Sequence, residues 1–270
     1  MAFLLFLGAY HLIRFSDKKF HLIFCNVGQG DGILMRTPNG IDIIIDGGPL
    51  ENSMTECLTR HIPFWDRTIE AVFLTHPDAD HLTGILGVVK SYNVSFFGMS
   101  DAPKTTGAYE ELVSILREKK IKTQMLFRND ILRTKDGFVL TTDWPTKEFL
   151  NLKSQDTNEY SLVQQVTFGK FKILLTGDIP STYLNSIMPT LDRLDVFKPP
   201  HHGSKTGTDE FTFQHLKPQI AAISVGLHNR YGHPSDEVLN IFKRLKIPFK
   251  RTDQAGDIEI VSDGVKWWLR

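Results

Sequence analysis

The chain has 270 residues, of which 41% are hydrophobic and 23% charged, and its 31 basic and 31 acidic residues give a formal net charge of +0. These are ordinary values for a globular protein, and the length allows one large domain or two small ones. Because the charge is balanced, no overall field would attract nucleic acid or an anionic membrane. Binding of a polyanion would therefore depend on local patches or on a metal.

The two cysteines, Cys25 and Cys57, are too few for a disulfide framework or a cysteine-rich zinc module. Cys25 lies in the apolar run FHLIFC. We expect it to be a small core residue, and a disulfide with Cys57 is the less favoured alternative.

The N-terminal segment, residues 1–16, begins with the almost wholly apolar stretch MAFLLFLGAYHLI. A helix needs about 20 apolar residues to span a bilayer, so this stretch is too short to cross one by itself. It also lacks the basic start and the small-residue cleavage site of a secretory signal. We expect a membrane-associated segment or the end of a spanning helix, ahead of a divergent signal and of a packed N-terminal element. This favours a membrane-associated or extracytoplasmic protein and leaves a cytoplasmic one open.

The remainder of the chain, residues 17–270, contains no linker or low-complexity segment and is predicted to be one domain. In its first half, short β-rich runs open as a meander and then alternate with helical patterns. The run at 69–76 is apolar at its centre, which is typical of a strand buried on both faces. The predicted strands span residues 20–27, 32–37, 41–46, 69–76 and 94–100, and the predicted helices span 52–62, 81–92 and 107–120.

The second half follows the same order, with antiparallel strands first and a strand–helix alternation after them. This repetition predicts an α+β fold in which two similar halves pack as a helix–sheet–sheet–helix sandwich. The predicted strands span residues 138–144, 160–168, 171–178, 195–200 and 220–226, the helices 181–188, 209–216 and 235–245, and a hairpin closes the chain at 257–269.

The stretch THPDADHLTG, residues 75–84, follows the apolar strand of the first half and holds four potential metal ligands, His76, Asp78, Asp80 and His81. Pro77 favours an extended conformation before it, and in an extended chain alternate side chains project to the same side. The alternative is a polar turn in which Asp80 caps the next helix and Asp78 is a turn residue. Capping does not require two flanking histidines, so we favour a metal site.

Two further strands end in candidate ligands, Asp178 after KILLTG and the pair His201–His202 after DVFKPP. Ligands collect at the carboxyl ends of strands in sheets flanked by helices. Together the three strand ends offer six ligands, about the number that two metals about 3.5–4 Å apart need, and we choose Asp178 as the bridge. His202 is the preferred ligand of its pair because Gly203 gives it room, although the order stays open. Three carboxylates with three imidazoles suit Mn²⁺ as well as Zn²⁺.

Other residues near these strand ends are candidates for contact with a substrate. The glycines of VGQGDG do not have the spacing of a dinucleotide-binding loop, so we expect a tight turn that brings Asp31 to the rim of the site. Asp46 either orients a ligating imidazole or starts a turn. The remaining candidates are Lys205 with Thr206 for phosphate contact, Asn229 and Tyr231 for substrate binding, His233 as a proton donor or a loop-ordering residue, and His201 as a contact to a substrate oxyanion.

Eight motifs, in this order along the chain, resemble the metallo-β-lactamase superfamily and, within it, the hydrolase domain of the DNA-uptake protein ComEC. The resemblance covers nearly everything after residue 20, and the ordered set is far more specific than any one motif. The motifs are VGQGDG (27–32), IDGG (45–48), HPDADH (76–81), NEYSLV (158–163), LLTGD (174–178), PPHHGS (199–204), NRYGHPS (229–235) and RTDQAGDIEI (251–260).

The resemblance implies an αββα four-layer sandwich with a dinuclear hydrolytic site. It assigns the ligands to His76, Asp78, Asp80 and His81, the bridging aspartate to Asp178, and the last histidine ligand to the His201–His202 pair. Two positions depart from the family pattern. Asn26 replaces an aspartate, and the stretch with Asn158 and Ser161 has no further histidine, so the first metal site is short of nitrogen donors.

The expected function is metal-dependent hydrolysis of a phosphodiester, with Asp80, Asp178 or the metal pair itself holding the attacking hydroxide. The resemblance implies DNA as the substrate and a membrane DNA-uptake channel as a candidate partner. The alternatives are a metallo-hydrolase of another ester, such as a phosphorylcholine ester, a thioester or a lactam, and a non-catalytic module that binds single-stranded DNA.

Overall fold

The computed structural model describes residues 17–103 and 105–270, so the apolar segment at 1–16 lies outside the described residues. In the described ranges the chain forms fifteen strands and seven α-helices. The strands are β1 Phe20–Phe24, β2 Gly32–Arg36, β3 Asp42–Gly47, β4 Thr68–Leu74, β5 Asn93–Met99, β6 Lys122–Met125, β7 Ile131–Arg133, β8 Phe138–Trp144, β9 Val163–Phe168, β10 Phe171–Leu175, β11 Val196–Phe197, β12 Ile220–Ile223, β13 Phe249–Arg251, β14 Ile258–Ser262 and β15 Trp267–Leu269.

The helices are α1 Ser53–His61, α2 Ala79–Ser91, α3 Gly107–Glu118, α4 Ser181–Ile187, α5 Glu210–Leu216, α6 Asp236–Leu245 and α7 Thr252–Ala255. Short 3-10 turns span Phe149–Leu152, Thr157–Tyr160, Met188–Thr190 and Pro200–Gly203. None of the helices in the described ranges has the length and apolarity needed to cross a membrane.

Two sheets form the centre of the molecule. The first has eight strands in the order β15-β14-β1-β2-β3-β4-β5-β6, and the second has seven in the order β13-β12-β11-β10-β9-β8-β7. In each sheet an antiparallel part continues into a parallel part, β3 to β6 in the first and β10 to β13 in the second. The closing hairpin joins the first sheet, since β14 pairs with β1.

Three apolar layers hold the sheets and helices together. Alternate side chains of β1 show how, because Leu22 and Phe24 face the second sheet while Ile23 faces the helices α1 to α3. A third layer lies between the second sheet and its helices, with Phe197 and Phe242 among its buried residues. The arrangement is the predicted helix–sheet–sheet–helix sandwich.

Cys25 and Cys57 form a disulfide, so the expectation that favoured a free Cys25 is wrong. Cys25 follows β1 and Cys57 lies in α1, in the same apolar layer. Packing in that layer brings their Cα atoms to 5.9 Å, within the range that a disulfide can bridge. Cys25 is nevertheless a fully buried core residue, as expected.

Candidate metal centre

The predicted ligands converge where the parallel strands of both sheets end. β4 ends at Leu74, two residues before His76, and β10 ends at Leu175, three residues before Asp178. The turn before β2 supports the first of these loops. Gly30 has a φ of +138°, and a Cβ there would lie 2.1 Å from the carbonyl oxygen of Asp80. Only glycine permits this close approach, which packs the turn against the loop that carries Asp80.

An unusual backbone conformation directs the side chains of His201 and His202 to different places. His201 and His202 both have left-handed φ angles, 51° and 55°, a conformation that is uncommon for residues other than glycine. His202 is buried, while the side chain of His201 is 32% exposed. The turn therefore directs His202 into the cluster and leaves His201 at the rim, which agrees with the preferred order of the pair.

Hydrogen bonds fix the tautomers of the three buried histidines. Nδ1 of His202 donates to the carbonyl of Ser224 (3.0 Å), and Nδ1 of His81 donates to Asp46 (2.8 Å). The hydroxyl of Thr75 donates to Asp46 (2.7 Å), and Nδ1 of His76 lies 3.0 Å from that hydroxyl oxygen. Since the Thr75 proton is committed to Asp46, Nδ1 of His76 is the donor. In the neutral form of each imidazole the lone pair is therefore on Nε2, the atom that a metal ion would bind once any proton there is displaced.

These Nε2 atoms point towards one another and towards two carboxylates. Asp178 Oδ2 lies 3.3 Å from Nε2 of His81 and 3.4 Å from Nε2 of His202, and Asp80 Oδ2 lies 3.4 Å from Nε2 of His202. Ligand atoms fall within 4.8 Å of one another in the groups His76–His81–Asp178 and Asp80–His81–His202. Five of the six predicted ligands are thus brought together.

The sixth predicted ligand, Asp78, is placed differently. Its Oδ1 accepts a hydrogen bond from the Thr157 hydroxyl (2.7 Å), and no group of converging ligands among the described residues includes it. Ser161, at the position where a further histidine was sought, supports other ligands. Its hydroxyl accepts from the backbone N–H of Asp178 (3.1 Å) and lies 3.3 Å from Nδ1 of His76.

The donor set fits a divalent cation. In the described ranges the Nε2 atoms of His76, His81 and His202 and the Oδ1 atom of Asp178 are buried and make no hydrogen bond. Buried polar atoms are rarely left without a partner in folded proteins. A cation among these atoms would satisfy them, and mixed imidazole and carboxylate donors are typical ligands of Zn²⁺ and Mn²⁺.

The charges in the cluster influence one another strongly. Burial alone would raise the pKa of Asp178, but His202 and His81 outweigh it and hold that pKa well below its usual range. Burial likewise opposes protonation of His202, yet Asp178 and Asp31 raise its pKa to about 9. Burial, together with His81, lowers the pKa of His76 to about 3. In the metal-free protein a proton therefore occupies His202 at neutral pH.

Asp31 is buried behind the ligands, so its predicted position at the rim is wrong. It is only 1% exposed because the turn at Gly30 packs inward against Asp80. Its carboxylate pairs with the ammonium group of Lys198 and lies 3.4 Å from Nδ1 of His202. Burial would raise the pKa of Asp31, but Lys198 and His202 lower it to about 2. An ionised carboxylate thus faces the back of the cluster.

Lys198 is the functional residue that the sequence reasoning missed. It follows β11 directly and is fully buried. The available signal was a lysine between the apolar residues Val196 and Phe197 and the prolines that precede His201. A lysine in that place is unusual, because lysine is almost never fully buried without a partner.

The rim of the centre carries the other predicted substrate contacts. Tyr231 is 68% exposed, and its ring lies nearly parallel to that of His233, with 5.9 Å between centroids. The His233 ring is 5.4 Å from that of His201, whose Nε2 is 3.9 Å from Asp178 Oδ2. Lys205 and Tyr231 line the same open cavity beside the centre, of about 600 Å³.

Asn229 orders the rim loop, and its contact with a substrate stays a prediction. Its amide nitrogen donates to the carbonyls of Gly226 (3.1 Å) and His233 (2.6 Å). Its amide oxygen accepts from the backbone N–H groups of Tyr231 (3.2 Å) and His233 (3.0 Å). Both ends of the amide are committed to the loop, which holds Tyr231 outward.

His233 was predicted as a proton donor or a loop-ordering residue, and its imidazole is neutral near pH 7. Burial, then the neighbouring His201 and His202, lower its pKa to about 4. Its imidazole is therefore neutral near pH 7 and has no extra proton to supply to a leaving group. Its backbone belongs to the loop that Asn229 orders, and its role towards a substrate stays a prediction.

Sequence relatives of the chain are proteins of bacterial competence. It is 30% identical over 258 residues to ComE operon protein 3 of Bacillus subtilis, an alignment that covers 87% of this chain and 32% of that protein. It is 27% identical over 251 residues to Recombination protein 2 of Haemophilus influenzae, covering 92% of this chain and 29% of that protein. The chain thus spans about a third of the length of these relatives. No protein-family model matches it.

Solved structures with a similar fold agree with the sandwich. The metallo-β-lactamase fold protein YhfI of Bacillus subtilis aligns over 93% of this chain and 100% of its own, with a TM-score of 0.57 and 10% identity. The metallo hydrolase Igni18 of Ignicoccus hospitalis aligns over 88% of this chain and 98% of its own, with a TM-score of 0.58 and 12% identity. Together with the competence homologues, these similarities confirm the resemblance predicted from the motifs, and the fold is that of the metallo-β-lactamases.

Proposed function

We propose that this chain, a homologue of competence proteins with the metallo-β-lactamase fold, is a metal-dependent phosphodiesterase that acts on DNA. One observation carries the proposal, which is the convergence of three buried imidazole Nε2 atoms without hydrogen bonds on the carboxylates of Asp178 and Asp80. Buried polar atoms without hydrogen bonds do not stabilise a sandwich that is held together by apolar layers, so the cluster requires another explanation. It also opens towards a polar rim.

The proposed ligands are His76, Asp80, His81, Asp178 and His202, and Asp78, which accepts a hydrogen bond from Thr157, is a sixth candidate. Two divalent ions, Zn²⁺ or Mn²⁺, would supply a Lewis-acid centre that activates water and stabilises negative charge on phosphate oxygens. Asp178 is the proposed bridge, because its Oδ2 lies 3.3 Å from Nε2 of His81 and 3.4 Å from Nε2 of His202. Asp46 holds His81 directly and His76 through Thr75, so that their Nε2 atoms face the centre.

The rim supplies the contacts that a phosphodiester of DNA requires. His201 is exposed next to Asp178 and can donate a hydrogen bond to a phosphate oxygen. Lys205 is positioned in the adjoining cavity to pair with a neighbouring phosphate, and the exposed Tyr231 ring offers a face on which a nucleobase can stack.

We also propose that the domain works outside the cytoplasm, next to a membrane channel for DNA uptake. The disulfide between Cys25 and Cys57 supports an oxidising compartment, because such bonds persist there and are rare in the cytosol. The names of the competence relatives support the link to DNA uptake.

Metal content and turnover test the function together. The 270-residue chain is loaded with Mn²⁺ or Zn²⁺, and hydrolysis of bis(p-nitrophenyl) phosphate, single- and double-stranded DNA, a thioester and a lactam is measured. Asp178→Asn should abolish turnover, whereas Asp42→Asn, a buried carboxyl at the opposite end of the strand that carries Asp46, should leave it unchanged. Metal binding without phosphodiester hydrolysis would refute the proposal, and DNA binding without any turnover would favour a binding module.

A further inference from the structure

The side chain of Lys198 lies inside the proposed metal centre, where no solvent reaches it. Its exposed fraction is 0%, and its ammonium group donates to the carbonyl of Gly177 (2.8 Å) and pairs with Asp31. The same nitrogen lies 3.7 Å from Oδ1 of Asp178. Lys198 therefore faces Oδ1 of the proposed bridging carboxylate, whereas His81 and His202 approach Oδ2.

The cluster around this ammonium group is rich in negative charge. Asp31, Asp46, Asp80 and Asp178 lie within it, and among residues 17–103 and 105–270 no other lysine or arginine forms an ion pair with any of them. Removing two charges from water costs several kcal/mol per ion, so an isolated buried pair is weak support for stability. A buried lysine at this place needs a reason beyond holding the fold together.

Geometry suggests that reason. Ligand atoms of Asp31, Asp178 and His202 lie within 4.8 Å of one another, an arrangement that would itself suit a metal ion. The ammonium group of Lys198 is in contact with two of these three residues. It thus occupies the inner pocket and leaves the outer side of the cluster, with the free Nε2 atoms, for divalent ions.

We propose that Lys198 is a built-in counter-cation of the metal centre, which holds Asp31 and Asp178 in place before metal arrives and weakens, through its charge, the binding of divalent ions. This inference rests on the metal centre of the proposed function. Lys198 is a positioning residue, because its nitrogen is enclosed by Gly177, Asp31 and Asp178 and reaches no substrate.

Charge-changing variants of the pair separate this role from that of an ordinary salt bridge. Asp31→Asn removes the negative charge nearest to the ammonium group and should weaken Mn²⁺ binding by about tenfold or more, since like charges repel strongly at low dielectric. Lys198→Met removes the ammonium charge and should strengthen Mn²⁺ binding. The double variant should return to within about threefold of the unsubstituted chain, because both charges are gone.

The measurements are Mn²⁺ dissociation constants and melting temperatures with and without Mn²⁺, all at pH 8. Lys198→Met should show a larger thermal gain from Mn²⁺ than the unsubstituted chain. The control Asp42→Asn disturbs a buried carboxyl 2.5 Å from Arg36 and should lower both melting temperatures equally. If Lys198→Met does not fold, the comparison of Asp31→Asn with the double variant still tests the proposal. Adding Lys198→Met to Asp31→Asn should restore the Mn²⁺ affinity.

Two outcomes distinguish failure of the inference from failure of the function. If both single variants weaken Mn²⁺ binding alike, or neither alters it, Lys198 is only a structural partner of Asp31 and the inference is overturned. If the unsubstituted chain binds no divalent ion, the proposed metal centre itself is refuted, whatever the variants do.

Discussion

Replacing Asp46 with asparagine tests how the centre is assembled. The Asp46 carboxylate accepts three hydrogen bonds, from the backbone and hydroxyl of Thr75 (2.8 and 2.7 Å) and from Nδ1 of His81 (2.8 Å). Asparagine has one acceptor oxygen in place of two, so an amide N–H would face a donor. The simplest relief is for His81 to move its proton to Nε2, the atom that faces the metal.

The backbone makes asparagine the right substitution at this position. Asp46 has a φ of +58°, a left-handed conformation that asparagine adopts as readily as aspartate and alanine does not. The fold should therefore survive, with a loss of about 1.5–3 kcal/mol for one hydrogen bond to a charged group. The effect on metal should be larger in proportion, because loss of such supporting partners typically lowers metal affinity by about 10–100-fold.

Mn²⁺ and Zn²⁺ titrations of Asp46→Asn, with circular dichroism to confirm folding, measure this loss. Asp42→Asn is the matched control, since it changes a buried carboxyl on the same strand that contacts none of the proposed ligands. Equal metal affinity in Asp46→Asn and the unsubstituted chain would refute the reasoning. In that case the Nε2 atoms of His81 and His76 would not depend on Asp46 for their orientation.

Three further results are expected. Because the pKa of His202 is about 9 without metal, a metal ion that binds below this pH must displace a proton. Mn²⁺ affinity should therefore rise by up to about tenfold per pH unit from pH 7 to 9, and an affinity that does not change with pH would contradict this. Tyr231→Ala should raise KM for DNA by the equivalent of about 1–3 kcal/mol while kcat and hydrolysis of bis(p-nitrophenyl) phosphate stay unchanged, and Tyr231→Phe should behave like the unsubstituted chain. Replacing Cys25 and Cys57, which are 32 residues apart, with alanine should lower the free energy of unfolding by about 3–4 kcal/mol in denaturant titrations, and unchanged midpoints would count against the disulfide.

The sequence predicted interior strands well and edge strands poorly. The alternation FVLTTDW identified β8 at Phe138–Trp144 with correct bounds. By contrast β6, β7 and β13 were missed, and each lies at the edge of its sheet. β6, for example, has four exposed residues. A short edge strand is paired on one side only and packs less, so its sequence needs no hydrophobic pattern.

The candidate site was predictable in its residue types and less so in the directions of its side chains. The strand-end ligands were found because backbone topology alone brings His76, Asp178 and His202 to one edge. Asp31 was misplaced because its position depends on a contact between loops distant in sequence, Gly30 against Asp80. Lys198 was missed because its only signal in the sequence is its place between an apolar strand and two prolines.

These differences divide the centre into two shells with different requirements. The buried part consists of residues whose charged contacts are only with other protein groups, namely Asp31, Asp46 and Lys198. These residues position the ligands in the folded chain and do not contact a substrate. His201 and Tyr231 are exposed, and a loop held by Asn229 presents the latter. Substitutions of the buried residues should therefore alter metal affinity and, through it, the turnover of every substrate by the same factor. Substitutions at the rim should instead alter the preference for DNA over a small phosphodiester. A variant at the rim that changed metal affinity would show that the two shells are coupled.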